Sequence, residues 1–208
     1  MMRTILFDFD GTLADSFGVV VEIFYDLTGH ERIDDPAQIQ RLRRLPIMKV
    51  VKELHVSPIQ VPRLLVKGRK LMNERMEDVR PFSGVPEAMA ELQKQGHTLY
   101  IMSSNSKQNV EAFLDANGLS RYVTKVYGNI GLLNKAGAIR KVIRQNSLRL
   151  EDCVYIGDEV RDIDGAQRAG IPIVSVGWGY NDATLLESRQ PDVLIYQPEK
   201  LVESIENL

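Results

Sequence analysis

Four aspartates in two groups have the residue type and spacing that chemistry at a single site needs. Asp8 and Asp10 end an apolar run near the N-terminus, and Asp158 and Asp162 follow a second apolar run. Residues two apart in a strand point to the same side, so Asp8 and Asp10 can converge on one site. Asp158 and Asp162 could bind a hard cation through oxygen. Each group also has an ordinary explanation, because Asp-Gly is typical of a turn and acidic residues stabilise the start of a helix.

A hydroxyl group and an amine complete the set of candidate residues. Ser103 and Ser104 come directly after the apolar run 99–102, and Lys135 begins a predicted helix. Serines commonly cap helices, and most lysines are solvated, so neither signal is specific by itself. A lysine in the first helical turn nevertheless opposes the helix dipole, which indicates another task for Lys135.

The elements that must position these residues alternate between strand and helix in the later part of the chain. A first buried strand is predicted around residues 5–9, and the later strands are predicted at 98–102, 123–127, 153–156, 173–176 and 193–195, with helices between them. This order predicts an α/β fold with a doubly wound parallel sheet. Ligands of such sheets bind at the carboxyl ends of the strands. We therefore expect both acidic groups, the hydroxyl and the lysine at the same edge.

The stretch between the first and second strands has a helical pattern and no strong strand signal. Its predicted helices are 16–27, 36–45, 47–54 and 59–76. We therefore expect a core formed by residues 1–15 and 81–208, with residues 16–80 as an inserted, all-helical module.

The composition is that of an ordinary globular protein. The chain has 208 residues, 44% of them hydrophobic, and its formal net charge of −2 gives no indication of a nucleic acid or anionic membrane as partner. Its single cysteine, Cys153, excludes an intrachain disulfide and is compatible with a reducing compartment. We expect a cytoplasmic protein without a signal peptide or a membrane span.

In this order and with these flanks, the candidate residues resemble the four motifs of the haloacid dehalogenase (HAD) superfamily. Residues 8–13 are similar to its first motif, Ser103 to its second, Lys135 to its third and residues 157–162 to its fourth. The resemblance covers nearly the whole chain and implies a Rossmann-like core with a helical cap inserted after the first motif. The cap and residues 175–180 are most similar to the phosphoglycolate-phosphatase-like branch.

The resemblance implies a phosphatase that depends on Mg²⁺ and forms an aspartyl-phosphate intermediate. Asp8 would be the nucleophile, and Asp10 would protonate the leaving oxygen and then deprotonate the attacking water. The metal would be held by the Asp8 carboxylate, the backbone carbonyl of Asp10 and Asp158. Family members that cleave carbon–halogen bonds lack the second aspartate, so Asp10 indicates phosphate chemistry.

Further motif residues would contact the phosphoryl group or orient the residues that do. Lys135 would supply positive charge, and Ser103 would hydrogen-bond the phosphoryl oxygens together with Gly11 and Ser104. We assign the second motif to Ser103 because it ends the apolar run. Asp162 would orient Lys135 or metal-bound water.

Substrate choice would depend on the cap. The cap would close over the site by turning about hinges near residues 11–15 and 81–85. Its basic residues Arg41, Arg44 and Lys49 could contact the substrate, although a solvated basic face is the simpler explanation. The substrate would be a small phosphorylated metabolite, such as phosphoglycolate or a sugar phosphate. Two alternatives stay open, a phosphomutase of the beta-phosphoglucomutase type and a non-catalytic regulatory or binding protein on the same fold. The sequence does not determine the oligomeric state.

Overall fold

A computed structural model describes residues 2–131 and 134–208, and within them eight strands form two sheets. In chain order the strands are β1 (Thr4–Phe7), β2 (Ala14–Asp15), β3 (Arg80–Pro81), β4 (Thr98–Met102), β5 (Val123–Tyr127), β6 (Cys153–Gly157), β7 (Ile173–Val176) and β8 (Val193–Ile195). Six of them form a parallel sheet in the order β5-β4-β1-β6-β7-β8, and β2 pairs with β3 in a separate, antiparallel sheet. This arrangement confirms the predicted α/β fold.

The described residues, 2–131 and 134–208, also form ten α-helices. They are α1 (Phe17–Thr28), α2 (Pro36–Arg43), α3 (Ile47–Glu53), α4 (Val61–Glu74), α5 (Val85–Lys94), α6 (Lys107–Ala116), α7 (Lys135–Gln145), α8 (Val160–Ala169), α9 (Ala183–Glu187) and α10 (Leu201–Glu206). Helices α1 to α4 all lie between β2 and β3. None of the helices in the described ranges combines the length and apolar character needed to cross a membrane.

The central strand β1 is buried on both of its faces. Its residues Ile5 and Phe7 belong to one apolar cluster, whereas Leu6 belongs to a second cluster on the opposite face of the sheet. β1 pairs in parallel with β4 on one side and β6 on the other, so that Phe7 lies opposite both Ile101 and Ile156. The chain order reverses beside β1, which is where open α/β sheets form a ligand crevice.

The short pair β2–β3 joins the two chain segments that lead into and out of helices α1–α4. Ala14 pairs with Pro81, and Asp15 pairs with Arg80. The sequence did not predict this pair, because two residues are too few to show the alternation of a strand. Helix α9 was also missed, since it has five residues. The other helices begin and end within a few residues of the predicted positions.

Candidate active site

Three strands of the main sheet end in the residues that the sequence selected. Asp8 follows β1, Ser103 follows β4 and Asp158 follows β6. The N–H of Asp8 donates a hydrogen bond of 2.8 Å to the carbonyl of Ile156, and this contact extends the pairing of β1 with β6. Because parallel strands end at the same edge, all three side chains lie around one site.

Lys135 lies in the first turn of α7 and is 3% exposed. Its Nζ is 3.1 Å from Asp8 Oδ1 and 2.9 Å from Asp162 Oδ1. Burial acts to lower the pKa of Lys135, but the charges of Asp162 and Asp8 outweigh it, so the pKa is raised. The two carboxylates therefore explain why a buried lysine is tolerated at the start of a helix. A side chain at Gly165 would leave no room for it, since a Cβ there would lie 2.8 Å from Lys135 Cβ.

The carboxyl group of Asp8 has one oxygen that lacks a hydrogen-bond partner. Oδ1 faces Lys135, whereas Oδ2 is buried, accepts no hydrogen bond from the described part of the chain and lies 3.8 Å from Arg161 Nη2. Burial raises the pKa of Asp8 to about 7, although Lys135 acts against this rise. A buried oxygen of this kind is available to a ligand.

Asp10 is half-buried and is surrounded by neutral donors. Its Oδ1 accepts a hydrogen bond of 2.9 Å from Ser16 Oγ, and its Oδ2 is 3.5 Å from Ser103 Oγ and 3.4 Å from Asn105 Nδ2. Burial raises the pKa of Asp10, and the hydrogen bond from Ser16 opposes the rise. The raised pKa favours the protonated form, which a general acid requires.

Asp158 is held between the loop after β1 and the loop after β7. Its Oδ1 accepts a hydrogen bond of 2.6 Å from Thr12 Oγ1, and its Oδ2 accepts one of 2.7 Å from the N–H of Tyr180. Burial raises the pKa of Asp158 well above its ordinary value. A Cβ at Gly11 or at Gly179 would come within 2.3 Å of this side chain, so only glycine leaves room for it.

Gly11 forms a turn beside Asp158. It was assigned to phosphate binding, but its N–H donates a hydrogen bond of 2.9 Å to the carbonyl of Ala14. Its φ of +80° lies in the left-handed region that glycine tolerates. Gly11 therefore supplies the turn and the space beside Asp158, and its N–H is already engaged.

Both carboxyl oxygens of Asp162 contact neighbouring side-chain or backbone N–H groups. Its Oδ1 contacts Lys135, and its Oδ2 accepts a hydrogen bond of 3.0 Å from the N–H of Glu159. One oxygen from each of Asp8, Asp158 and Asp162 lies within 4.8 Å of the others. Both oxygens of Asp158 and both oxygens of Asp162 face protein donors, whereas Asp8 Oδ2 accepts no hydrogen bond from the described part of the chain.

The charge of the site fits a divalent cation. Asp8, Asp158, Glu159 and Asp162 are buried carboxylates, and the nearby cations are Lys135 and Arg161. The acidic side chains thus exceed the basic ones by two charges, which is costly in a buried site. Carboxylate and carbonyl oxygens are also the ligands that Mg²⁺ prefers. The unpartnered Asp8 Oδ2 and this excess of acidic groups both fit a bound divalent cation.

Several residues of the site were missed in the sequence. Arg161 lies within the fourth motif, and its position among acidic residues was a usable signal. Its Nη2 is 2.6 Å from Glu159 Oε1. Tyr180 ends the segment 175–180 that carried part of the family resemblance, but its contact with Asp158 depends on the fold and was not predicted. Its hydroxyl lies 2.8 Å from Ser16 Oγ.

The structure does not bring the three predicted basic residues of the helical segment to the site. Arg41 pairs with Glu53 at 3.2 Å, and Arg44 pairs with Asp182 at 3.5 Å. Both arginine side chains are more than half exposed, and Lys49 is exposed as well. The simpler explanation, a solvated basic face, describes their surroundings.

A cavity of about 280 Å³ opens beside Asp10 and extends between the core and helices α1, α3 and α4. Ser104, Asn105 and Arg161 line it from the core, and Arg69 lines it from α4. The rest of the wall is mainly apolar.

Comparison with known proteins gives consistent matches along the chain. The family model described as haloacid dehalogenase-like hydrolase matches residues 5–176. A phosphoglycolate phosphatase from Synechococcus elongatus is 34% identical over 210 residues, which cover 100% of this chain and 99% of that relative. Pyrophosphatase PpaX from Bacillus cereus is 24% identical and is covered to 98% by the whole of this chain. A crystal structure of a predicted phosphatase from Clostridium acetobutylicum shares the fold, with a TM-score of 0.84, 19% identity and complete coverage of both chains.

Proposed function

The chain belongs to the haloacid dehalogenase-like hydrolase family and is a phosphatase, and we propose that it hydrolyses small phosphate monoesters through a phosphorylated Asp8 with the help of Mg²⁺. The observation that carries this proposal is the environment of Asp8. One of its oxygens faces Lys135 at 3.1 Å, and the other is buried without a hydrogen-bond partner. A carboxylate held in this way is suited to attack phosphorus.

The metal would be held by the carboxylates of Asp8 and Asp158 and by the backbone carbonyl of Asp10. When bound, a divalent cation neutralises the repulsion between carboxylates and a phosphate dianion and polarises the phosphoryl group. Thr12 and the N–H of Tyr180 hold Asp158 in place for this role.

Asp8 and Asp10 would divide the reaction between them. Asp8 attacks phosphorus, and the bond from phosphorus to the leaving oxygen breaks as Asp10 donates its proton to that oxygen. Asp10, now a carboxylate, accepts a proton from water, which attacks the phosphorus of the phosphorylated Asp8 and releases inorganic phosphate. The raised pKa of Asp10, caused by burial, supports its protonated form at the first step.

Lys135 and Ser103 would stabilise the negative charge on the phosphoryl oxygens while the phosphoryl group is transferred. Asp162 would act through Lys135, because it holds the Nζ atom at 2.9 Å. The N–H of Ser103 is already donated to the carbonyl of Tyr127 at 2.9 Å, so its contribution would come from the hydroxyl group.

The substrate would be phosphoglycolate, a sugar phosphate or a similar small metabolite. The name of the Synechococcus elongatus relative supports the first of these. The phosphomutase alternative shares every step up to the phosphorylated Asp8 and differs only in transferring the group back to a sugar phosphate. The non-catalytic alternative is wrong, since the chain is an enzyme of this family. A cytoplasmic location stays a prediction.

A phosphatase assay over a panel of phosphorylated metabolites, with Mg²⁺ and with EDTA, tests the proposal. We expect release of inorganic phosphate with Mg²⁺, and loss of this release with EDTA. Asp8→Asn should lower turnover on the order of 10³-fold or more, because the nucleophile is removed. The exposed Asp34 provides the matched control, and Asp34→Asn should retain full activity. Substantial turnover by Asp8→Asn would contradict the proposed nucleophile, and conversion of glucose 1-phosphate to glucose 6-phosphate would favour the mutase.

A further inference from the structure

Arg69 lies on α4 and is fixed against the loop that follows β4. Its Nε donates a hydrogen bond of 2.7 Å to the carbonyl of Ser104. Its own carbonyl accepts a hydrogen bond of 2.9 Å from Asn109 Nδ2, and the same amide donates one of 2.8 Å to Asn105 Oδ1. These contacts hold the Arg69 side chain beside the loop that carries Ser103.

Arg69 also lines the cavity of about 280 Å³ that opens beside Asp10. Apolar side chains such as Ile23, Leu65 and Met72 form much of the surrounding wall. A charge in such surroundings is screened less by water than a charge on the surface, so its attraction for an opposite charge is stronger.

Arg69 differs from the other arginine of the cavity in having no acidic partner. Arg161 is paired with Glu159 at 2.6 Å and lies 3.8 Å from Asp8. No carboxylate forms an ion pair with Arg69 in residues 2–131 and 134–208. Burial lowers the pKa of Arg69, and no acidic neighbour offsets this effect. A partly buried guanidinium without a counter-charge is an unfavourable arrangement until an anion joins it.

We propose that Arg69 determines substrate specificity by binding a second oxyanion, a carboxylate or a phosphate, carried by the leaving group of the substrate. Its Nε is engaged with Ser104, so the terminal N–H groups of the guanidinium would meet the oxyanion, a pairing that arginine geometry favours. The inference rests on the proposed function, because it assigns the phosphoryl group to Asp8 and the leaving group to the cavity.

The test compares phosphoglycolate with 2-hydroxyethyl phosphate, which replaces the carboxylate by a neutral hydroxymethyl group. We expect the wild type to favour phosphoglycolate in kcat/KM. Arg69→Met should lower this preference by about tenfold or more, mainly through KM, and Arg69→Lys should restore part of it. The exposed Arg63 on the same helix is the matched control, and Arg63→Met should keep the preference. The wild type and the same variants are also assayed with pyrophosphate. Comparison of the effect of Arg69→Met on kcat/KM in the two series determines whether the second oxyanion is a carboxylate or a phosphate.

Two outcomes would overturn the role of Arg69. One is a wild type whose kcat/KM is the same for phosphoglycolate and for the neutral 2-hydroxyethyl phosphate. The other is an equal loss for both substrates in Arg69→Met, which would indicate a structural role.

Binding measured by calorimetry in the Asp8→Asn background separates this inference from the proposed function. There, adding Arg69→Met should weaken binding of phosphoglycolate about tenfold and leave binding of 2-hydroxyethyl phosphate unchanged. This result would support the role of Arg69 even if the wild type released no phosphate, whereas equal binding of both ligands would contradict it.

Discussion

Asp8 and Asp10 are two residues apart, yet their carboxyl groups have different neighbours. Asp8 faces the cation of Lys135 at 3.1 Å, whereas Asp10 accepts a hydrogen bond from the neutral hydroxyl of Ser16 at 2.9 Å. A neighbouring cation favours the carboxylate form, and burial without a cation in contact favours the protonated form. Burial raises the pKa of both carboxyl groups, and at Asp8 the charge of Lys135 opposes the rise, which supports the proposal that Asp8 attacks phosphorus and Asp10 transfers the proton.

This division predicts how Asp10→Asn responds to the leaving group. With an alkyl phosphate such as phosphoglycolate, the first step should slow by about 10²- to 10⁴-fold, because no acid protonates the departing oxygen. With p-nitrophenyl phosphate the leaving group needs no proton, so the first step should change by less than about tenfold. Stopped-flow measurement of p-nitrophenol release should then show a burst followed by slow turnover. Equal loss of the first step with both substrates would contradict the assignment of Asp10.

At the scale of elements, the loops after β1 and β7 meet at Asp158. The loop after β7 approaches so closely that a Cβ at Gly179 would lie 2.3 Å from Asp158 Cβ. Arg43 fixes the same loop, since its Nη2 donates a hydrogen bond of 2.6 Å to the carbonyl of Gly179. The position of Asp158 therefore depends on a glycine that is far from it in the sequence.

Gly179→Ala should displace Asp158 and lower phosphatase activity at limiting Mg²⁺ by at least about tenfold, since a displaced ligand weakens metal binding. Gly18→Ala is the matched control, because a Cβ at Gly18 meets nothing within 4 Å. That control should retain activity and stabilise α1 by about 0.5–1 kcal/mol. Titration of activity with Mg²⁺ measures the first effect and thermal unfolding the second. An unchanged Mg²⁺ dependence in Gly179→Ala would show that the loop does not position Asp158.

The sequence alone predicted those helices and strands that are encoded by a local pattern of apolar and polar residues. The run of apolar residues before Asp8 predicted a strand buried on both faces, and the structure confirms it. Contacts between distant residues were not predictable in the same way. Tyr180 meets Asp158, and Arg69 meets Ser104, only because the fold brings separate loops and helices together. Arg41 and Arg44 were selected by their charge and their spacing, which do not reveal an acidic partner on another element.

At the scale of the whole molecule, the excess of buried acidic groups makes stability depend on pH. Burial raises the pKa of Asp8 from 3.8 to about 7 and also raises that of Asp158. The folded protein therefore binds protons that the unfolded chain has released, and between these pKa values its stability falls as pH rises. For Asp8 this amounts to at most about 1.4 kcal/mol per pH unit.

We therefore expect the melting temperature of the metal-free protein in EDTA to fall between about pH 5 and about pH 7 more steeply for the wild type than for Asp8→Asn. The comparison with Asp8→Asn is needed because burial lowers the pKa of His97, which acts in the opposite direction below about pH 6.5. Mg²⁺ should reduce the slope, since the metal displaces the bound protons. Parallel profiles for the two proteins would contradict the raised pKa of Asp8.

The most direct test of the account is the location of the covalent phosphoryl group. Asp10→Asn is incubated with p-nitrophenyl phosphate and Mg²⁺, quenched in acid, digested and mapped by mass spectrometry. Because this variant forms the intermediate but lacks the base that activates water, we expect one phosphoryl group on Asp8. The double variant Asp8→Asn, Asp10→Asn should carry none. A phosphoryl group on any other residue, or none on Asp8 while the burst of p-nitrophenol is present, would contradict the proposed mechanism.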